Sequence, residues 1–400
     1  MKLRRQILRL TFLFSCLLLP AVAIGQTKAD ADKELSGRIK LLLPMLIYAV
    51  PGIEVNVYFD NVVLAVNPAN HVFDVTCDKG IQQNERWTFT PAPNEAGDYP
   101  FLLEVRNDTN GIVARAKSTV RIVADGAGKG AEKTLLIIGD SLTHASVYSQ
   151  HVLDLWKTNN QGRLTLIGSH GPGGVPGENR HEGYGGWTAE RFATHFTGAA
   201  RDGDYKQRGS PFLYKEGEAP PKLDFARYCR EFNDGKGPDF VTILLGCNDT
   251  FSATDDTIEE RIDTMFRHYD TLLGMIHAVR PDTQIGALLL VPPAASQDAF
   301  GANYRNGQTR WQYKRNQHRV VERMMERYGK REQENVFLVP AHVNLDCVRN
   351  YPQRTDAANA RATEKVARSN NGVHPAAEGY RQIGDSIYCW LKSRLAVAGK

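Results

Sequence analysis

Cysteine is scarce in this 400-residue chain, which contains six, and none of the six forms a CxxC pair. Cys16 lies near the amino terminus, and the other five are widely spaced and odd in number. A disulfide-built fold carries a dense set of cysteines, and a structural zinc site needs closely spaced ligands. Neither can be the basis of this fold, although one or two isolated bridges are compatible with an oxidising compartment.

Long apolar runs are also lacking, apart from one near the start. Residues 10–22 are mostly apolar, follow four basic residues and lead into small residues at positions 21, 23 and 25. This layout is typical of a secretory signal peptide, and the run is short for a membrane span. We predict a signal peptide over residues 1–25, a secreted or periplasmic protein, and no integral membrane span in the mature chain. An uncleaved anchor and a lipid on Cys16 are the less favoured alternatives.

A surplus of charge is lacking as well. Residues 1–25 contain four basic and no acidic residues, which leaves 45 of each sign in the remainder. Nucleic acids and anionic membranes select proteins with a surplus of Lys and Arg. The balance therefore argues against a nucleic-acid partner.

The first part of the chain has the two-residue periodicity of β-strands. Apolar residues alternate with polar ones in "IEVNVYF", "RWTFT", "PFLLEVR" and "STVRIV", and turn signals separate these runs. We predict a small β-sandwich over residues 26–123, similar to an immunoglobulin-like domain, with Tyr99 as its tyrosine corner. It is either a carbohydrate-binding module or, as we favour, a spacer or lid beside an enzyme. The glycine-rich stretch "ADGAGKG" predicts a linker over residues 124–130.

Residues 131–400 alternate between apolar runs and helical patterns. The runs are "TLLIIG", "LTLIG", "DFVTILLG", "QIGALLLV" and "VFLVP". The clearest helical pattern begins at a capping box on Thr257 and ends at Pro281. This order predicts an α/β domain with a doubly wound, mostly parallel, five-stranded sheet.

Four short motifs stand where chemistry is expected. "GDSL" supplies Ser141, "GGW" supplies Gly186, "GCND" supplies Asn248, and "GVHP" near the carboxyl terminus supplies His374. Taken singly, Ser141 fits a helix N-cap and His374 a structural loop residue. Together they fit nucleophilic catalysis, since a serine hydroxyl needs a base and an imidazole titrates near neutral pH. No His/Cys cluster or carboxylate pair stands at ligand spacing nearby, so we predict no metal and no cofactor.

In this order the motifs resemble those of the SGNH hydrolases of the GDSL esterase superfamily, over about residues 131–395. The resemblance implies a flavodoxin-like SGNH fold, with Ser141 as nucleophile and His374 as general base. It implies an oxyanion hole formed by the Ser141 N–H, the Gly186 N–H and the Asn248 side chain. The family usually has Asp three residues before the histidine, whereas this chain has Asn371. Either the Asn371 side chain orients His374, or a main-chain carbonyl of residues 369–371 or a carboxylate elsewhere does so.

The residues expected around the site are aromatic and polar. Tyr184, Trp187 and Phe251 are candidates for contact with a sugar ring, as is the segment of residues 303–317, which also fits an amphipathic helix. We predict a serine esterase that removes acyl groups, above all O-acetyl groups, from a saccharide. A general short-chain carboxylesterase or lysophospholipase-like hydrolase is the alternative enzyme. A catalytically degenerate glycan-binding protein is the alternative from another class.

Overall fold

The computed structural model describes residues 39–159, 162–174, 177–197 and 209–398. The predicted signal peptide lies outside these ranges. Within them, no helix combines the length and the apolar character that crossing a bilayer requires.

Two sheets form the amino-terminal region. One has four strands in the order β1-β7-β6-β3, with β1 parallel to β7 and the other pairs antiparallel; the second has three antiparallel strands in the order β2-β5-β4. The strands are β1 (Leu46–Ala49), β2 (Val55–Tyr58), β3 (Val72–Thr76), β4 (Ile81–Gln82), β5 (Arg86–Phe89), β6 (Gly97–Arg106) and β7 (Ile112–Ile122). Both sheets contribute to one buried cluster, through Val57 and Trp87 from the second and Leu103 and Val120 from the first.

A six-stranded, all-parallel sheet forms the centre of the remaining chain. Its strands are β8 (Glu132–Gly139), β9 (Arg163–Ile167), β10 (Glu182–Gly183), β13 (Phe240–Leu244), β14 (Gln284–Leu288) and β15 (Val336–Val339). β9 and β10 pair with successive parts of the same edge of β8, and β13, β14 and β15 follow on its other side. Counted by position, this is the 2-1-3-4-5 order of flavodoxin-like sheets. The predicted α/β class is confirmed. The sheet has six strands rather than the predicted five, because β10 has only two residues and lacks the apolar run by which the other strands were predicted.

Helices and short hairpins complete the described fold. The helix Val147–Asn159 packs on the helix Ala377–Ala398, whereas the helix Ile258–Val279 packs on the helices Ala189–Thr194 and Arg310–Tyr328. This is expected for crossovers that cover both faces of a parallel sheet. The hairpins are β11 (Leu213–Tyr214) with β12 (Lys222–Leu223), and β16 (Gln353–Ala357) with β17 (Lys365–Ser369). The helices are α1 (Phe59–Val62), α2 (Ser141–His144), α3 (Val147–Asn159), α4 (Ala189–Thr194), α5 (Phe225–Phe232), α6 (Cys247–Thr250), α7 (Ile258–Val279), α8 (Gln297–Asn303), α9 (Arg310–Tyr328), α10 (Ala341–Asn344) and α11 (Ala377–Ala398), with 3₁₀ turns at Pro68–Asn70, Pro172–Gly174 and Glu332–Glu334.

The long helix α7 is where the sequence predicts it, but the prediction of a capping box at Thr257 is wrong. Thr257 precedes the helix with φ −113° and ψ −10°, a helical rather than an extended conformation. Its hydroxyl therefore turns back and accepts the Thr254 N–H at 2.9 Å, and it caps no helical N–H.

Residues 124–130 form consecutive turns that lie against α11. Lys392 donates to the Asp125 carbonyl at 3.3 Å and to the Ala127 carbonyl. A Cβ on Gly128 would meet Leu395 at 2.3 Å, so glycine permits this close approach.

Candidate active site

Ser141 lies where the central strand β8 gives way to helix α2. Gly139 ends the strand, and a Cβ there would lie 1.9 Å from Thr143 Oγ1, so glycine lets the helix fold closely over the strand end. Asp140 is the N-cap, and its Oδ1 accepts the Leu142 N–H at 2.9 Å. Ser141 is thereby held, half-buried, at the carboxyl edge of the sheet.

A hydrogen bond joins Ser141 to His374. His374 Nε2 lies 2.8 Å from Ser141 Oγ, across a separation of 233 residues. Burial lowers the pKa of His374 below that of an ordinary imidazole. The ring is therefore neutral at neutral pH, and its Nε2 can accept the hydroxyl proton.

The Asn371 side chain bonds the main chain rather than the imidazole. Its Oδ1 accepts the Val373 N–H at 3.1 Å and the His374 N–H at 2.9 Å, which makes an Asx turn. Of the three alternatives for orienting His374, the bond from its ring to this amide is therefore not formed. Among the described residues, Nδ1 of His374 has no hydrogen-bond partner, and burial is the sole cause of its pKa shift. The turn shapes the loop that carries the histidine.

Gly186 and Asn248 border the same edge. Gly186 has φ +75°, which favours glycine, and no atom lies within 4 Å of the place a Cβ would take. Asn248 Nδ2 donates to Asp140 Oδ2 at 3.2 Å and to the Trp187 carbonyl at 3.1 Å. Asn248 thus lies beside the residue before Ser141 and the residue after Gly186. Both amide hydrogens are engaged, so an oxyanion would compete with the Trp187 carbonyl for one of them.

Asp140 is a positioning residue that the sequence analysis missed. Its buried carboxylate accepts from the Leu142 N–H, from Asn248 Nδ2 and from Cys247 Sγ, the last at 3.0 Å. Burial raises the pKa of this carboxyl to about 6, and the hydrogen bonds it accepts oppose that shift. A signal was available, because Asp140 and Cys247 directly precede Ser141 and Asn248 at the ends of neighbouring strands.

Glu182, also missed, anchors the strand that leads to Gly186. Its buried carboxylate accepts from the N–H and the hydroxyl of Ser169 and from the hydroxyls of Tyr184 and Tyr228. Burial raises the pKa of Glu182, and these four donors oppose the shift. The network fixes β10 to its surroundings immediately before the glycine loop.

Two of the three aromatic residues expected to contact substrate are core residues. Tyr184 and Trp187 are each 0 % exposed, and their rings pack 4.6 Å apart. The prediction that they contact substrate is wrong, because no ring face is open to a ligand. Phe251 is half-buried with the ring of Tyr304 at 5.2 Å, and it stays a candidate.

The comparison with protein families agrees with these motifs. A family model for GDSL-like lipases and acylhydrolases matches residues 137–382. A search of curated proteins gives no match. Among solved structures, a family 3 carbohydrate esterase from Clostridium thermocellum is 16% identical, covers 67% of this chain and 100% of its own, and has a TM-score of 0.37. A carbohydrate acetylesterase from Sinorhizobium meliloti is 14% identical, with 66% and 100% covered and a TM-score of 0.36. Because the family match spans all four motifs, the chain belongs to the GDSL-like lipase/acylhydrolase family, and it is a carboxylic ester hydrolase.

Proposed function

We propose that Ser141 and His374 act as the nucleophile and the general base of a serine esterase. Ser141 Oγ attacks the ester carbonyl while its proton passes to His374 Nε2, which then gives that proton to the leaving alcohol. Water then attacks the acyl carbonyl while the same nitrogen takes its proton; the carboxylic acid leaves, and the proton returns from Nε2 to Ser141 Oγ. The observation that carries this proposal is the 2.8 Å hydrogen bond between the two side chains.

The negative charge of the tetrahedral intermediate needs hydrogen-bond donors aimed at its oxygen. We assign this role to the N–H groups of Ser141 and Gly186 and to the Asn248 amide, each worth about 3–4 kcal/mol in a comparable hydrolase. The Asp140 carboxylate keeps one Asn248 hydrogen. The other hydrogen of the Asn248 amide exchanges the Trp187 carbonyl for the oxyanion as its acceptor.

The Asx turn at Asn371 gives a testable prediction. Asn371→Ala removes both main-chain bonds, so we expect kcat/KM to fall roughly ten- to a hundredfold as the histidine loses its fixed position. Asn371→Asp keeps both bonds and should retain most activity. The new carboxylate near His374 favours the imidazolium and raises its pKa, so the acid limb of the kcat/KM profile should move to higher pH. Profiles of kcat/KM against pH for the three proteins measure both effects.

Two outcomes would contradict that account. Full activity in Asn371→Ala would mean that the turn is dispensable. An equal, large loss in both variants would mean that the amide acts through packing.

We propose an O-acetylated saccharide as the substrate class. Support comes from the rim beside the catalytic pair, where half-buried Phe251 and Tyr304 stand next to exposed, polar Asn303. Aromatic faces beside hydrogen-bonding groups suit a sugar. Among the described residues, the large apolar side chains that stand exposed lie elsewhere, at Met45, Val66, Val72, Ile81 and Val348. A lipid surface needs a contiguous apolar patch, so this rim disfavours the lysophospholipase-like alternative.

Acetate release tests the proposal. The protein should hydrolyse p-nitrophenyl acetate and release acetate from acetylated oligosaccharides, with a higher kcat/KM for the best saccharide than for p-nitrophenyl acetate. Activity confined to p-nitrophenyl esters would favour a general carboxylesterase. Inactivity on every ester, together with glycan binding, would favour the degenerate binding protein.

We propose that residues 26–123 form an immunoglobulin-like β-sandwich domain, joined through residues 124–130 to a hydrolase domain of residues 131–400. The hydroxyl of Tyr99 donates to the Glu95 carbonyl at 3.1 Å, the bond expected of a tyrosine corner. Leu42 and Tyr48 pack into the same core as the parallel sheet. This shared core supports a brace for the hydrolase rather than a free binding module. Secretion is proposed from residues 1–25 alone.

A further inference from the structure

A short loop joins α8 to α9 and lies between two catalytic segments. This rim loop (residues 303–309) begins at Asn303, whose Nδ2 donates to the Asn370 carbonyl, in the segment that leads to His374. It ends near Gln308, whose Nε2 donates to the carbonyl of Phe251, three residues after Asn248. The rim loop is therefore tied to both the histidine loop and the asparagine motif.

Arg305 in this loop has a backbone conformation that favours glycine. Its φ is +52°, and its N–H bonds to the Phe300 carbonyl at 3.2 Å as α8 ends. Helices commonly end in a glycine in this left-handed conformation, because the Cβ of any other residue comes too close to the backbone. Gly307 lies two residues further along and is not in the left-handed region. A long side chain that occupies a strained backbone position beside a candidate catalytic site points to a function of that side chain.

The guanidinium of Arg305 is available to an external anion. It is exposed, and among the described residues it has no hydrogen bond, ion pair or aromatic contact. Residues 296–310 and the neighbouring hairpin segment 353–369 contain six basic and three acidic residues. Two of the three acids already face arginines, Asp298 with Arg368 at 3.9 Å and Asp356 with Arg354 at 2.6 Å. One of the six bases, Arg310, pairs with Asp60 outside these segments at 3.2 Å. The local surplus of positive charge stands out against a chain that is neutral after residue 25.

We propose that Arg305 forms a subsite for the carboxylate of an acidic O-acetylated saccharide, an inference that rests on the proposed function and narrows its substrate class. A guanidinium binds a carboxylate through two parallel N–H···O bonds, which fixes both position and orientation. The half-buried ring of Tyr304, the residue before Arg305, offers a face for the sugar. The tethers to Asn370 and Phe251 hold this subsite against the segments that carry His374 and Asn248.

Arg305→Gly tests the subsite, because glycine relieves the left-handed strain while removing the cation. We expect thermal stability at or above that of the wild type. We expect kcat/KM to fall roughly ten- to a hundredfold on acetylated oligogalacturonate or on O-acetylated sialic acid, mainly through KM, and less at high salt. Activity on p-nitrophenyl acetate and on a neutral acetylated xylo-oligosaccharide should stay within about twofold. The two acidic probes distinguish a uronate from a sialate.

The matched control is Lys330→Gly. Lys330 is an exposed cation just beyond the other end of α9, a helix about 28 Å long. The Lys330→Gly change should leave activity unchanged on both acidic saccharides, on the neutral xylo-oligosaccharide and on p-nitrophenyl acetate. Equal losses on neutral and acidic saccharides in Arg305→Gly, or wild-type activity without preference for acidic saccharides, would overturn the subsite while leaving the esterase intact. Absence of wild-type activity on p-nitrophenyl acetate would overturn the proposed function itself.

Discussion

Replacing Ser141 by alanine is expected to abolish ester hydrolysis and to leave the fold unchanged. The hydroxyl of Ser141 bonds His374 Nε2, whereas helix α2 is capped by Asp140 and does not depend on that hydroxyl. Without the nucleophile only the oxyanion donors and substrate binding remain, so residual kcat should lie below about a thousandth of the wild-type value. Steady-state hydrolysis of p-nitrophenyl acetate measures the loss, and circular dichroism checks the fold.

Two further variants sharpen this experiment. Ser252→Ala removes an exposed serine and should retain full activity. His374→Ala combined with Ser141→Ala should cost no more than either change alone, because residues that act as one unit are not additive. A Ser141→Ala residual above a thousandth, or additive losses in the double variant, would require another nucleophile.

Replacing Asn61 by alanine is expected to cost the largest amount of stability of the changes considered. Asn61 lies in α1 of the amino-terminal region and is 3 % exposed. Its Nδ2 donates to the carbonyls of His342 and Leu345 at 2.9 and 2.8 Å, and its Oδ1 accepts from Cys347 Sγ at 3.4 Å. Truncation removes the amide donor from two buried carbonyls, and that of Leu345 keeps only a weak bond from Cys347 Sγ at 3.6 Å. We therefore expect a loss of about 2–4 kcal/mol in the free energy of unfolding.

Chemical denaturation followed by circular dichroism and by activity measures this loss. Because Leu42 and Tyr48 belong to the core of the hydrolase, both signals should fall in one transition that shifts together in Asn61→Ala. Asn84→Ala removes an exposed amide and serves as the control. A shift no larger than that of the control, or an amino-terminal region that melts separately, would contradict the proposed brace.

Periodicity and motif order predicted much of the α/β sheet, because both are properties of short stretches of the sequence. The buried runs that became β8, β13, β14 and β15 are nearly continuous apolar segments, as parallel strands covered on both faces require. The pairing of Ser141 with His374 was expected from the resemblance of the four motifs, together with chemistry that needs both groups.

Contacts between residues far apart in the chain could not be predicted from the sequence. Tyr184 and Trp187 flank glycines and so resemble an exposed platform, yet the donors around Glu182 and the ring packing draw both into the core. The sequence shows Asn371 three residues before His374, but it does not show that the amide oxygen of Asn371 turns to the main chain. Asn56 and Asn344 are 288 residues apart, and no periodic signal predicts their bond.

The state of the cysteines has a practical consequence for handling the protein. All five cysteines of the described residues are free thiols, and four of them are buried. Folding of this part of the chain therefore needs no oxidant, and the cytoplasm of a reducing host should suffice for its production. Cys77, just after β3, is the partly accessible one, and burial raises the pKa of its thiol. Burial shields the other four thiols, and the raised pKa of Cys77 calls for alkaline conditions. Among the described cysteines, alkaline labelling should therefore attach a fluorophore first to Cys77, where it would report unfolding without an engineered cysteine.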